Sequence, residues 1–202
     1  MAVPDYTYLP LEQQPNRIRI LLLHPGQEHK PLSGSLRSIS LHSSPIAEYE
    51  TISYCWGVST ERSTMRLDGK SLAIPISSHQ VLARFRHAVA QRVLWIDAVC
   101  INQADPNERS HQVALMSEVY SKGVGNLVWL GESDETVPVA LGAIGEILNE
   151  AREETEGFGS FASVVMDAET RLYRYSQAGV GVAFDSAALL GLFARPWFRR
   201  LW

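Results

Sequence analysis

Three features predict an α/β fold: a mainly parallel sheet flanked by helices, with an antiparallel β addition at the amino terminus. Val93 to Ile96 is an unbroken apolar run, as in a strand covered on both faces. Residues 49–131 read strand, helix, strand, helix, strand, an order that implies right-handed crossovers. The earlier segments alternate or carry turn signals, as antiparallel strands do. The chain has 202 residues, 46% hydrophobic and 20% charged, enough for one domain with a substantial core.

The elements follow in order. Residues 1–17 are a polar, proline-punctuated lead-in, and residues 18–202 form the domain. Ile18 to Leu23 is a first strand, stopped by Pro25-Gly26, and Leu36 to Leu41 alternates as a second. Tyr49 to Tyr54 is a third, with Ile52 and Tyr54 on one face and Thr51 and Ser53 on the other. Met65 to Ile74 is a hairpin, because Asp68-Gly69 between short apolar runs favours a type I′ turn. Ser77 or Ser78 caps a helix to about Gln91, whose core stripe is Val81, Leu82, Phe85, Ala88 and Val89. A strand over 93–98 leads to a helix from Pro106 to Lys122, with Val113, Met116, Val119 and Tyr120 inward. Gly123 ends that helix, and Asn126 to Leu130 is a short buried strand. Pro138 to about Thr155 is helical, and residues 153–159 are a hydrophilic break. Residues 160–181 show no decisive pattern, a helix followed by a glycine-rich loop being one reading. A last helix begins near Asp185 and is interrupted at Arg195-Pro196.

Composition excludes several classes. The net charge is −4 and no basic block exceeds Arg199-Arg200, which argues against nucleic acid as a partner. Arg84, Arg86, His87 and Arg92 read as a solvated helix face rather than an anion site. Cys55 and Cys100 offer no disulfide framework and no metal spacing, so no metal site and a reducing compartment are expected. Met1 to Tyr6 lacks the regions of a signal peptide, and no apolar run nears the roughly 18 residues of a membrane span. The expected location is cytoplasmic.

The chemistry-bearing residues gather after two strands. Asp97 follows the apolar run, then come Asn102, Gln103 and a helix start at Asp105-Pro106-Asn107-Glu108. Asp105 is a good N-cap, Pro106 suits the first position, and Glu108 stands where a capping box needs it. Ligands of open α/β sheets gather beyond such strand ends. Asp97 either holds ribose hydroxyls, or caps the following loop or pairs with an arginine such as Arg109. Asn102, Gln103, Glu108 and Arg109 either receive a phosphate at the helix start or serve structure. Ser53-Tyr54-Cys55-Trp56-Gly57 either makes an aromatic wall for a flat ring or packs the sheet edge before a turn. Cys55 and Cys100 are better read as small core residues than as nucleophiles. Trp197, Phe198 and Trp202 dock the last helix, while Arg195, Arg199 and Arg200 either attract a pyrophosphate or face water. No glycine-rich fingerprint follows any strand, which disfavours an ordinary dinucleotide-binding dehydrogenase.

Five ordered blocks carry a resemblance to a known family. They are Tyr49-Glu-Thr-Ile-Ser-Tyr-Cys-Trp-Gly57, Leu94-Trp-Ile-Asp-Ala-Val-Cys-Ile-Asn-Gln103, Glu108-Arg109 with Gln112, Met116 and Tyr120, Val128-Trp-Leu-Gly131, and Arg195-Pro-Trp-Phe-Arg-Arg-Leu-Trp202. In this order they resemble the fungal heterokaryon incompatibility (HET) domain across roughly residues 18–202. The HET domain is itself similar to the Toll/interleukin-1 receptor (TIR) domain, which implies a TIR-like, flavodoxin-like α/β fold. The resemblance implies fungal allorecognition and programmed cell death, executed through self-association or contact with other death-signalling proteins. It also implies a second class of function, NAD glycohydrolase-type cleavage, with NAD as substrate and no cofactor required.

In that scheme Ser53, Tyr54, Trp56, Gly57, Asp97, Asn102 and Arg109 surround the ligand. A carboxylate steadies the oxocarbenium-like ribosyl cation. The family's last block usually runs past the position of Trp202 into a segment carrying Gln-Glu. The TIR-type catalytic glutamate is therefore expected beyond Trp202, with Glu108 the in-chain substitute. The alternative is a non-enzymatic interaction module whose polar crevice is a partner contact.

Overall fold

The computed structural model describes residues 3–11, 16–27, 29–156, 163–166, 173–177, 180–184 and 186–199. The chain divides into two compact units, Met1–Trp129 and Leu130–Trp202. In the first unit, seven strands form one sheet: β1 (Arg17–Leu23), β2 (Ser33–Ser40), β3 (Glu50–Tyr54), β4 (Arg62–Leu67), β5 (Lys70–Pro75), β6 (Arg92–Trp95) and β7 (Gly125–Trp129). Their order is β5-β4-β2-β1-β6-β3-β7.

The α/β class holds, and the sheet is mixed. β3 runs parallel to both β6 and β7, and β2 runs parallel to β4. The pairings β1–β2, β1–β6 and β4–β5 are antiparallel. The amino-terminal strands are therefore no appendage: β1 sits inside the sheet, with Leu21 opposite Leu94. Its sequence explains the placement. Successive strand residues face opposite sides, and both Ile20 and Leu21 are fully buried, so β1 needs cover on both faces. β3 shows the same pattern, since Thr51, Ile52, Ser53 and Tyr54 are all buried.

The β4–β5 hairpin turns at Asp68 and Gly69, with φ of +50° and +78°. Two adjacent positive φ values are what the type I′ turn requires. Helix α1 (Ile76–Phe85) follows and stops earlier than the periodicity predicts. Arg86 there is extended at φ −65°, ψ 130°. Its guanidinium donates to the carbonyls of Gln27, Lys30 and Pro31, pinning the β1–β2 loop and pulling the chain out of the helix. Val89 consequently lies at the surface instead of in the core stripe. The basic cluster is not simply a solvated face either. Arg92 donates to both Glu50 oxygens, at 2.6 and 2.9 Å, and to the Phe85 carbonyl.

After β6 come α2 (Asp97–Cys100), α3 (Pro106–Ala114) and α4 (Met116–Lys122). The single helix expected over 106–122 is broken at Leu115. Val113, expected inward, is exposed, and the polar Gln112 takes the core position and donates to the Arg17 carbonyl. On α4, Val119 is fully buried. Tyr49 donates to the Val119 carbonyl and Tyr120 donates to the Ile52 carbonyl, fastening α4 to β3. β7 alternates between half-buried and exposed, because it is an edge strand and not a buried one. The lead-in is tied down: Asp5 bridges to Ser71, and Tyr8 donates to the Val99 carbonyl.

In the second unit, α5 (Thr136–Glu156) packs against α6 (Ser186–Phe193). Ala140, Ala188 and Leu192 are buried there beside Leu130, Ile144 and Leu189. The undecided stretch forms an antiparallel sheet of β8 (Ser163–Met166), β9 (Tyr173–Gln177) and β10 (Val180–Phe184). A short 3-10 turn, Pro196–Arg199, follows α6. Asp185, Arg200 and Trp202 lie outside the described residues. Among the described residues, no helix is long and apolar enough to cross a membrane.

Gly34 on β2 lies opposite Leu23 of β1, with no room for a side chain. An added Cβ would lie 2.7 Å from the Leu22 carbonyl oxygen and 2.9 Å from Leu21 Cδ1. Gly34→Ala should therefore destabilise the protein by roughly 1–3 kcal/mol, read as a lower urea midpoint at unchanged slope. An unchanged midpoint would show that the two strands do not approach this closely.

Candidate functional site

β3 and β6 are parallel neighbours, with Trp95 opposite Thr51, and the residues that follow the two strands meet. Ile96 is extended, so the chain turns directly into α2 with Asp97 as its first residue. Asp97 Oδ1 accepts from the Ala98 amide at 2.7 Å. The Trp56 indole Nε1 donates to the same carboxylate, at 3.0 Å to Oδ2 and 3.2 Å to Oδ1. The aspartate and the Tyr-Cys-Trp turn therefore share one hollow. Ser77 Oγ donates to the Trp56 carbonyl, and Gln103 Nε2 donates to the Asp97 carbonyl. Both contacts fix backbone on either side of that indole–carboxylate pair.

The remaining residues divide by burial. Tyr54 is only 2% exposed and shares a 2.7 Å hydrogen bond with Ser78, so it belongs to the core. Burial first, and then the Asp97 charge, push its phenol well above the usual range, and it stays neutral. Ser78 thus serves Tyr54 rather than capping α1, whose N-cap is Pro75 without a side-chain bond. Ser53 is buried as well. Trp56, at 36% exposure, is the aromatic that offers surface. Gly57 has φ +72° and open space around it, which suits the turn and a close approach.

Glu108 is held from several sides. It is bidentate to the buried Arg19, at 2.5 and 3.0 Å, and its Oε1 also accepts from the Asn102 amide at 2.7 Å. Arg19 further donates to the carbonyls of Leu9 and Cys100 and stacks over the Tyr8 ring. Asp105 caps α3 by accepting from the amides of Asn107 and Glu108. The reciprocal half of the capping box is absent, because the Glu108 carboxylate turns to Arg19 and Asn102. Glu108 is thus an anchor for the loop after α2. Arg109 is exposed on α3, and the Asp97 carboxylate is engaged by the Trp56 indole and the Ala98 amide. Asn102 Oδ1 accepts from the Ala104 amide.

Reading the chain alone missed Arg19, although a signal was present. A lone guanidinium inside Ile18-Arg-Ile-Leu21 cannot be buried without a partner. Cys100 is fully buried, and burial pushes its thiol up to about 12, which removes it as a nucleophile. In the second unit, Arg195 donates to the carbonyls of Leu130 and Glu132 and to the Asp134 carboxylate. Its role there is structural. Phe198 packs edge-on against Phe193 and Trp197, but Phe193 and Phe198 remain exposed, so these aromatics pack on one another rather than into a core. Among the described residues, no group of three His, Cys, Asp or Glu side chains could hold a metal ion.

With this geometry in view, comparison with known proteins defines the class. The family model described as heterokaryon incompatibility protein (HET) matches residues 49–202. The chain belongs to this family. It is 32% identical over 171 residues to heterokaryon incompatibility protein 6, OR allele, of Neurospora crassa. That alignment covers 75% of this chain and 25% of the Neurospora protein, so the chain spans about a quarter of that relative's length. No solved structure matches the chain.

Two outcomes follow from the site. Glu108→Gln removes the charge facing buried Arg19 and should destabilise the protein by about 3–5 kcal/mol in urea denaturation. A loss below about 1 kcal/mol would mean that the pair is solvated. In the native protein one thiol, half-buried Cys55, should react with a disulfide reagent at pH 8, and a second only after denaturation. Two fast thiols in the native state would contradict the burial of Cys100.

Proposed function

We propose that this chain is a fungal allorecognition domain that promotes programmed cell death by associating with its own kind or with other death-signalling proteins. It acts in the cytoplasm and in the manner of TIR domains. The observation that carries this reading is the family match over residues 49–202, joined by a Neurospora crassa relative named for heterokaryon incompatibility. The geometry favours association over chemistry. Glu108 is held by Arg19 and the Asn102 amide, and Asp97 by Trp56 and the Ala98 amide. In this reading the crevice around Trp56 is a contact for a protein partner.

A specific observation favours a second reading, NAD glycohydrolase-type cleavage. Asp97 and the partly exposed Trp56 meet at the ends of parallel strands β6 and β3, where open α/β sheets take ligands. Trp56 would stack on a ring, Asp97 would position ribose hydroxyls, and NAD would be substrate, with no further cofactor.

The two readings separate in a paired experiment. Nicotinamide release from NAD is followed by chromatography for the protein and for Asp97→Asn, and light scattering is recorded across protein concentration. Concentration-dependent oligomers without nicotinamide support the association reading. Release that falls at least ~10-fold in Asp97→Asn supports the enzyme. A strictly monomeric protein that leaves NAD intact would contradict both self-association and the enzyme.

A further inference from the structure

A second hollow borders α2, next to the residue that carries the indole–carboxylate pair. Asp97 contacts Trp56, whereas the next residue, Ala98, lines a half-open groove of about 350 Å³ within the first unit. Leu72, Ala73 and Ala98 supply apolar surface, and the Tyr8 ring contributes from the lead-in. Tyr8 is fixed there by its bond to the Val99 carbonyl and by Arg19 over its ring. The groove therefore has one wall outside the family match, which begins at residue 49. Its volume is that of roughly a dozen water molecules, near the lower end of small-molecule sites.

The polar side chains lining this groove are few: the Arg62 guanidinium, the Tyr8 hydroxyl and the amides of Asn102 and Gln103. Arg62, from β4, brings a guanidinium that makes no hydrogen bond or ion pair among the described residues. Among the described residues, no carboxylate lines the groove. Asn102 spends its Oδ1 on the Ala104 amide, leaving the Nδ2 donor unpartnered among the described residues, and Gln103 spends Nε2 on the Asp97 carbonyl. One free fork-shaped cation and a spare amide donor beside apolar surface call for an anionic head on a flat apolar body.

We infer that the groove formed by Tyr8, Arg62, Leu72, Ala73, Ala98 and Asn102 binds a small planar molecule bearing one carboxylate or phosphate. The head pairs with Arg62 and the body lies against Leu72, Ala73 and Ala98. Because Gln103 holds the Asp97 carbonyl, a ligand here would also press on the loop that carries the first crevice. The inference requires neither NAD cleavage nor self-association.

Ligand-observed NMR on the whole chain tests it with four probes: benzoate, phenyl phosphate, the neutral benzamide and inorganic phosphate. Benzoate or phenyl phosphate should bind at least ~5-fold tighter than benzamide, and the stronger of the two identifies the preferred head. Inorganic phosphate alone should bind more weakly than phenyl phosphate. Arg62→Gln should erase the advantage of the charged probes. Ala73→Phe, at an exposed strand position that tolerates an aromatic, should fill the groove and remove binding of both. Equal binding of benzamide and benzoate would overturn the inference. So would binding that survives Ala73→Phe, or no binding of either charged probe at concentrations of about 20 mM, since a site of this size should show at least millimolar affinity.

Discussion

A single guanidinium buried in a strand sets most of this architecture. Arg19 is 4% exposed, within a strand whose neighbours are fully buried, and such a charge must be satisfied on every side. Its partners come from three places in the chain: the Leu9 carbonyl and Tyr8 ring of the lead-in, the Cys100 carbonyl ending α2, and the Glu108 carboxylate opening α3. Glu108 extends the network to the Asn102 amide. The loop after Asp97 is therefore held from both ends by one ion pair. Anything the Asp97 hollow does depends on that loop staying where Arg19 puts it.

The same network ties the amino-terminal segment to the site. Residues 1–48 precede the family match, yet they provide β1, β2, Arg19 and Tyr8. β1 separates the parallel group β6-β3-β7 from the hairpin side of the sheet and pairs with β6 at Leu21–Leu94. Without it, β6 would present an open edge beside its buried Trp95. The HET-family core of this chain is thus completed by residues outside the matched region.

Local physics was legible in the chain before its coordinates. Asp68-Gly69 announced a turn needing two positive φ values, Asp105-Pro106 announced a capped helix start, and Val93 to Ile96 announced a strand leading to Asp97. The meeting of Asp97 with Trp56 was also readable, because both follow strands of one parallel pair. Long-range decisions were not. Nothing near Arg86 in sequence signals that the carbonyls of residues 27–31 will end α1. The partner of Arg19 lies 89 residues away, so Glu108 reads locally as a capping-box residue. Thr51 and Ser53 read only as the face opposite Ile52 and Tyr54, and the alternation does not show that both faces of β3 are buried. For Arg86 and Glu108 a tertiary partner overrode a sound local rule.

The most direct test of this dependence is an amide and indole NMR spectrum of Arg19→Lys, which keeps the charge but loses the fork. The indole signals of Trp56 and Trp95 report the hollow and the core respectively. The account predicts that the Trp56 Nε1–H signal moves and exchanges faster in the variant, while that of Trp95 stays in place. A Trp56 indole unaltered by the substitution would show that the Asp97 hollow is held by something other than the buried ion pair.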